Sequence, residues 1–330
     1  MNRSLWLLSM TAIIYFLVAC ETPPSEGSAT SKTATVSLSA PTSSLVSPFV
    51  NSTNTLDKYW YQGKGELNVY TLEQNRYQDI HPGEALLVFV TEDFLTDRQV
   101  KNDRYESANS TPILKMNGIT RFTTGLYDYS IMTSVFTPVK TRDFPRTLKV
   151  THSAQDWCGQ VFSQINLKEE EYQYQLFSYF ESEGDDQKNA SANLLEEELM
   201  NRIRMDYLRL PVGEDLKIIP GLTFLRLKHK PYQTYTATAS LKDYEGTDFT
   251  GEELKAYVLE YPEFQRTFTI VFSSVAPFYI EGWLDSYPSV FDGKMRTTKA
   301  VRSNTVLLDY WSKNANTTAN AELREQLNWR

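Results

Sequence analysis

The chain has 330 residues, 41 acidic and 33 basic side chains and a net charge of -8. No basic run occurs, so binding to a phosphate backbone has little electrostatic support and nucleic acid is not an expected partner. Aromatic residues make up 13%, with 20 Tyr, which favours strands over helices.

Arg3 supplies the one positive charge ahead of an apolar run from Leu5 to Val18, the layout of a secretory signal. The run stops at Cys20, short of the roughly 20 apolar residues that a membrane-spanning helix needs. Leu17-Val18-Ala19-Cys20 resembles the lipobox of bacterial lipoproteins. The resemblance implies a signal peptide over 1–19, diacylglyceryl transfer to Cys20, and acylation (palmitate or a similar chain) of the new amino terminus. The alternative is an ordinary signal peptide with a chance cysteine. With Cys20 lipidated, Cys158 has no partner for an intramolecular disulfide. Residues 20–56 are rich in Ser, Thr and Pro and read as a flexible tether with an r.m.s. reach of roughly 30 to 35 Å. The alternative for this stretch is a docking segment using Leu45, Val46, Phe49 and Val50.

A single β-rich body is expected over 57–312. Leu67, Val69 and Thr71 alternate with Glu66, Asn68 and Tyr70, the period of a half-buried strand. His81-Pro82-Gly83 reads as a turn, and Ala85 to Val90 as a buried strand. Asp97 to Ser110 reads as a loop. Ile113 to Thr124 and Tyr127 to Val139 form a hairpin signal around Gly125. Thr147 to Asn166 reads as one long strand or a bulged pair, and Tyr172 to Phe180 as the next, ending at Gly184-Asp185-Asp186.

One amphipathic helix is predicted, over about 192–208, because Leu195, Leu199 and Ile203 recur at a spacing of four. Asn193 and Glu196 fit a capping pair, Glu196, Glu197 and Glu198 suit the positive end of the helix dipole, and Pro211 stops the helix. Strands resume with Thr223 to His229, Tyr235 to Leu241, Phe264 to Phe272, Phe278 to Leu284 and Met295 to Trp311. The remainder, 313–330, reads as a polar tail with a short helix over Ala319 to Trp329. About ten to twelve strands with one helix argue for a mainly β fold. The expected form is a large antiparallel twisted sheet, as a sandwich or open barrel.

Candidate chemistry is sparse. His152, Asp156 and Cys158 lie close in sequence, yet on a regular strand His152 and Cys158 stand about 20 Å apart, too far for a nucleophile and its base. Beside Trp157, Cys158 reads instead as a packed apolar residue. Three His without HxxxH spacing, and no P-loop, GxGxxG or GxSxG, leave no metal and no cofactor to expect. The Ala237 and Ala239 face, with Tyr235, Phe264, Phe268 and Phe272, reads as core or as the lining of an apolar groove. Tyr59, Trp60 and Tyr61 are a sugar-stacking platform or a packing face.

Leu114 to Val139 together with Ser153 to Phe162 resembles an uncharacterised lipoprotein family of the Bacteroidota whose members often carry the label "septum formation inhibitor Maf". The resemblance covers most of the body from Asp57 onward. It implies a lipobox, a β-rich domain and no established activity. The Ser/Arg phosphate-binding motif of the cytosolic Maf pyrophosphatases is absent, so no site residues carry over. The expectation is a lipid-anchored cell-envelope protein, the outer membrane being the commoner destination. It would be a non-enzymatic binding or structural lipoprotein for a lipid or other apolar ligand, a glycan or an envelope protein. The alternative is an envelope hydrolase or transferase with a site assembled around Cys158 or carboxylates.

Overall fold

The computed structural model describes residues 55–329. The signal segment, Cys20 and the tether up to Asn54 lie outside them. Leu56, at the expected end of the tether, is buried in the core.

Ten strands precede the first helix: β1 (Gly65–Arg76), β2 (Asp79–Leu95), β3 (Val100–Lys101), β4 (Ser110–Thr124), β5 (Tyr127–Pro138), β6 (Lys149–Asp156), β7 (Gly159–Lys168), β8 (Glu171–Ser178), β9 (Asp186–Ser191) and β10 (Leu194–Leu195). Then come α1 (Leu199–Asp206), β11 (Gly213–Ile219), α2 (Leu222–Lys228), β12 (Tyr235–Asp243), β13 (Leu254–Tyr261), β14 (Arg266–Ser273), β15 (Ile280–Pro288), β16 (Met295–Leu308) and α3 (Thr318–Leu327). All strands share one sheet, in which β1 pairs with β2 on one side and β16 on the other. From there the strand order runs outward to edges at β9 and β10. Every pairing is antiparallel except the short β10–β11 contact. This is the mainly β, largely antiparallel open sheet that the alternating sequence pattern implies.

The sheet curls around α1 and α2. Asn201 of α1 donates to the Leu114 carbonyl of β4 (3.1 Å) and to Thr137 of β5 (2.9 Å). Glu196, in the turn that leads into α1, accepts from Tyr261 of β13 (2.7 Å) and from Arg266 of β14 (2.7 and 2.8 Å). One segment thus bonds both halves of the sheet. It occupies the end where β1 begins, since Arg204 meets Glu66 and the Pro277 carbonyl (2.9 Å) there. The other helix closes the opposite end: Arg76, last in β1, donates to the Leu227 carbonyl (2.8 Å), and Lys228 donates to Pro288, last in β15.

Several expectations change. His81, Pro82 and Gly83 lie inside β2; the turn falls at Tyr77 and Gln78, with Tyr77 at φ 57°. Pro82 is tolerated because it pairs with β1 while β4 begins pairing only at Gly83, an edge-like position where a missing N–H costs little. Thr223 to His229 forms α2, not a strand. Its seven residues are too few to show a period, and Leu222, Phe224, Leu225 and Leu227 are all buried, so apolar residues fall on both apparent strand faces. Thr147 to Asn166 is a hairpin that turns at Trp157 and Cys158. Phe264 sits in a 3-10 turn before β14, and Phe278 precedes β15.

The short helix near the carboxyl terminus forms, capped by the Thr317 hydroxyl. The segment is more than a polar tail: Leu327 and Trp329 are buried with Leu67, Val69, Leu86 and Val88. This explains why β1 is buried on both faces. Leu67 and Val69 pack under α3, while Glu66, Asn68, Tyr70 and Leu72 face the curled interior.

The predicted helix forms over a shorter span, and its polar residues are buried along with its apolar ones. Leu199 and Ile203 are buried, and so are Asn201, Arg202 and Arg204. Asn193 does not cap it; its amide donates to Ser191 and Thr234, and Glu198 accepts from the Leu195 N–H instead (3.2 Å). Glu198 also holds Arg202 (2.8 and 3.0 Å) and Thr147 (2.7 Å). Glu66 receives both guanidinium arms of Arg204, the Tyr59 hydroxyl and the Asn68 amide (2.7 Å). Burial opposes ionisation of Glu66, but these donors outweigh it and hold its carboxyl below the usual range. Removing one partner of such a buried pair strands the other charge. Arg204→Met is therefore expected to lower stability by about 3–5 kcal/mol in urea unfolding, with Glu66→Gln added to it recovering part of the loss.

Candidate functional site

Between α1 and α2 the curled sheet leaves a cavity of about 140 Å³. Its apolar wall includes Leu72, Leu87, Met116, Ile131, Met200 and Phe268. Small residues on the inward face of β4, Gly118 and Thr120, create the space. Phe224 and Leu227 of α2 form its lid toward the hairpin tips.

One side of the cavity is charged. Arg266 lies over the Phe224 ring (4.0 Å) and donates to both Glu196 and Asp285 (2.7 and 3.0 Å). Glu197 lies beside this group and accepts from the Leu222 N–H, the first amide of α2. Two carboxylates thus hold one guanidinium, and a third carboxyl lies within its electrostatic reach. Burial, reinforced by the negative charge of Glu196, pushes the Glu197 carboxyl up to about 7. The group therefore exchanges a proton near neutral pH at the charged side of the cavity.

No family model matches the sequence, and no curated protein matches it. Among solved structures, a beta-barrel-like protein of a domain of unknown function, DUF1849, from Brucella abortus is similar at a TM-score of 0.44 and 8% identity. The match covers 74% of this chain and 98% of that one.

Of the residues expected to line a groove, Phe268 reaches the cavity wall. Tyr235, Ala237, Ala239, Phe264 and Phe272 are buried in the main apolar cluster with Leu199, Ile203 and Leu222. The groove they would have lined is filled by the two helices. Trp60 packs inside, with its ring 6.2 Å from Phe89, while Tyr61 is exposed and Tyr59 binds Glu66; the three form no platform.

The structure separates the other sequence candidates. His152 is buried on the inner face of β6, where its Nδ1 meets Thr133 (3.0 Å). Burial, aided by the charge of Arg226, pushes the imidazole down to about 3, so it stays neutral. Cys158 sits at the exposed hairpin tip and is not packed; Trp157 beside it is 68% exposed. Asp156 accepts from the Cys158 N–H (2.6 Å), and its charge raises the thiol above its usual range. A raised thiol is a poor nucleophile at neutral pH. Among the described residues no cluster of His, Cys, Asp or Glu is arranged to hold a metal, and no helix is long and apolar enough to cross a membrane.

Glu197, Arg266 and Asp285 carried a faint sequence signal. A lone Arg at the start of β14, between Phe264 and Phe268, needs a buried acidic partner. Three consecutive Glu ahead of an apolar stripe supply one, though the stripe alone suggests only a solvated helix start.

The Glu197 proton has a measurable effect. Between the ordinary value of 4.5 and about 7, the folded protein holds a proton that the unfolded chain has released, so this group makes stability fall as pH rises through that window. Glu197→Gln keeps an acceptor for the Leu222 N–H and removes the titration. The variant is expected to match the parent in urea unfolding near pH 4.5 and to exceed it by on the order of 2–3 kcal/mol above about pH 8.

Proposed function

We propose that the protein is a lipid-anchored cell-envelope binding protein, not an enzyme, that takes the apolar part of a small amphiphile into the cavity between α1 and α2. The observation that carries this reading is the cavity itself, closed at one end by a helix with few anchors. An apolar space of about 150 Å³ is enough to hold one benzene-sized ring. The cavity here accepts a group of that size when closed, and more when α2 moves outward. Glu197 meets the polar end of the guest.

Two features accord with entry at the α2 end. Ion pairs that fix α1 are fully buried, whereas Arg226, the acid-paired residue of α2, shares its Glu183 with the exposed His229. The hairpin tips at the α2 end are also apolar: Leu126, Trp157, Tyr179, Val290 and Phe291 are all exposed. Such a rim suits contact with a lipid surface. The lipobox at Cys20 and the tether after it supply the envelope address, in keeping with the resemblance to the Bacteroidota lipoproteins.

The full-length protein, purified from its native envelope and then denatured, is expected to release an apolar or amphiphilic molecule in near-stoichiometric amount by mass spectrometry. Thr120→Phe, which fills the cavity, is expected to lose that molecule while still melting cooperatively. Absence of any guest in the parent, or equal loading of the variant, would contradict the reading.

A further inference from the structure

The opposite face of α2 borders a second cavity, of about 300 Å³, enclosed by β6, β7, β8 and the turn into β9. Leu222, Leu225 and Arg226 turn toward it, whereas Thr223, Phe224 and Leu227 belong to the interior cavity. The helix is a partition between two separate spaces.

Three residues in the wall of this pocket carry buried polar atoms with no hydrogen-bond partner: His152 Nε2, Arg226 Nε and Tyr232 Oη. Seven side-chain atoms among the described residues are in that condition, so nearly half of them gather here. Each such atom is costly when buried, and native proteins leave few. Each of the three can serve as a donor. Arg226 Nε–H can only donate. His152 Nε2 carries the hydrogen and donates in the tautomer whose Nδ1 accepts from the Thr133 hydroxyl. The Tyr232 hydroxyl, kept protonated by burial, is a third donor.

The acidic groups nearby are already engaged. Glu183 accepts from Arg226 (3.0 Å), His229 (2.6 Å) and Ser178 (2.6 Å). Asp186 pairs with Lys188 (2.6 Å). Lys230, also in the wall, makes no ion pair among the described residues and lies over the Phe264 ring (5.8 Å). The pocket therefore offers surplus donors and one surplus positive charge.

We propose that this pocket binds a small organic anion, and that its carboxylate or phosphate oxygens accept from His152, Arg226 and Tyr232 after small side-chain shifts toward the guest. The volume matches the lower end of small-molecule sites, which suits a compound of sugar size. This site does not depend on the interior cavity or on any apolar guest there.

Calorimetric titration of the full mature protein with glucuronate and with glucose 6-phosphate tests it, with glucose as the uncharged control. Glucuronate or glucose 6-phosphate is expected to bind more tightly than about 1 mM, and glucose is not. The anion that binds identifies the headgroup. Tyr232→Phe is expected to weaken binding by roughly tenfold without lowering the melting temperature of the unliganded protein, because it removes a hydroxyl that has no partner there. Thr120→Phe, on the far side of α2, is expected to leave this binding intact. Failure of both anions to bind, equal binding of glucose, unchanged affinity in Tyr232→Phe, or a marked drop in its melting temperature would overturn the proposal.

Discussion

A helix with buried arginines can live inside a curled sheet only if each of those charges finds a partner fixed in the interior. Arg204 against Glu66 is the clearest case, with both side chains fully buried. Glu66 stands on the strand at the middle of the sheet order, and Tyr59 and Asn68 complete its coordination. Arg202 with Glu198, and Glu196 with Arg266, repeat the arrangement on either side. Isolated burial of one of these ions would be prohibitive, and a bidentate partner offsets most of that cost. The gain is position. Two of these pairs tie the α1 segment to β1 and β14, and Asn201 ties it to β4 and β5, which greasy packing alone would do less specifically.

That fixed helix gives the rest of the interior its shape. With α1 set at the end where β1 begins, the sheet wraps around a column of core side chains, and α2 closes the other end. The leftover space lies between them because Gly118 and Thr120 stand where larger residues would fill it. The two helices are held unequally. Buried ion pairs anchor α1, while α2 rests on apolar side chains, two carbonyl contacts, the Glu197 carboxyl at its first amide and the partly exposed Glu183. A division into a rigid strut and a looser cork is the physical basis for assigning ligand entry to one end.

Much of the sheet was legible in the sequence. Alternation in β4, β5, β12 and β14 places the strands, and the Gly125 turn marks a hairpin whose register runs unbroken from Ile113 to Thr124. What misled was the assumption that polar means outside. Glu66 and Asn68 read as the solvent side of β1, yet they point inward, because Glu66 pairs with Arg204, more than a hundred residues further along the chain, and Asn68 donates to Glu66. No local pattern announces a pairing made across the interior. The donors around His152 come from β6, α2 and the loop after it, so proximity in sequence pointed to Cys158 instead, which the hairpin turn carries away to the surface.

The account stands or falls on the unequal anchoring of the two helices. Native-state hydrogen exchange on the full-length protein measures it residue by residue. Amides of α1 are expected to exchange only through global unfolding, while those of α2 exchange by local opening, at least about a hundredfold faster. Equal protection of the two helices, or faster exchange in α1, would contradict the claim that buried ion pairs fix one and leave the other free to move.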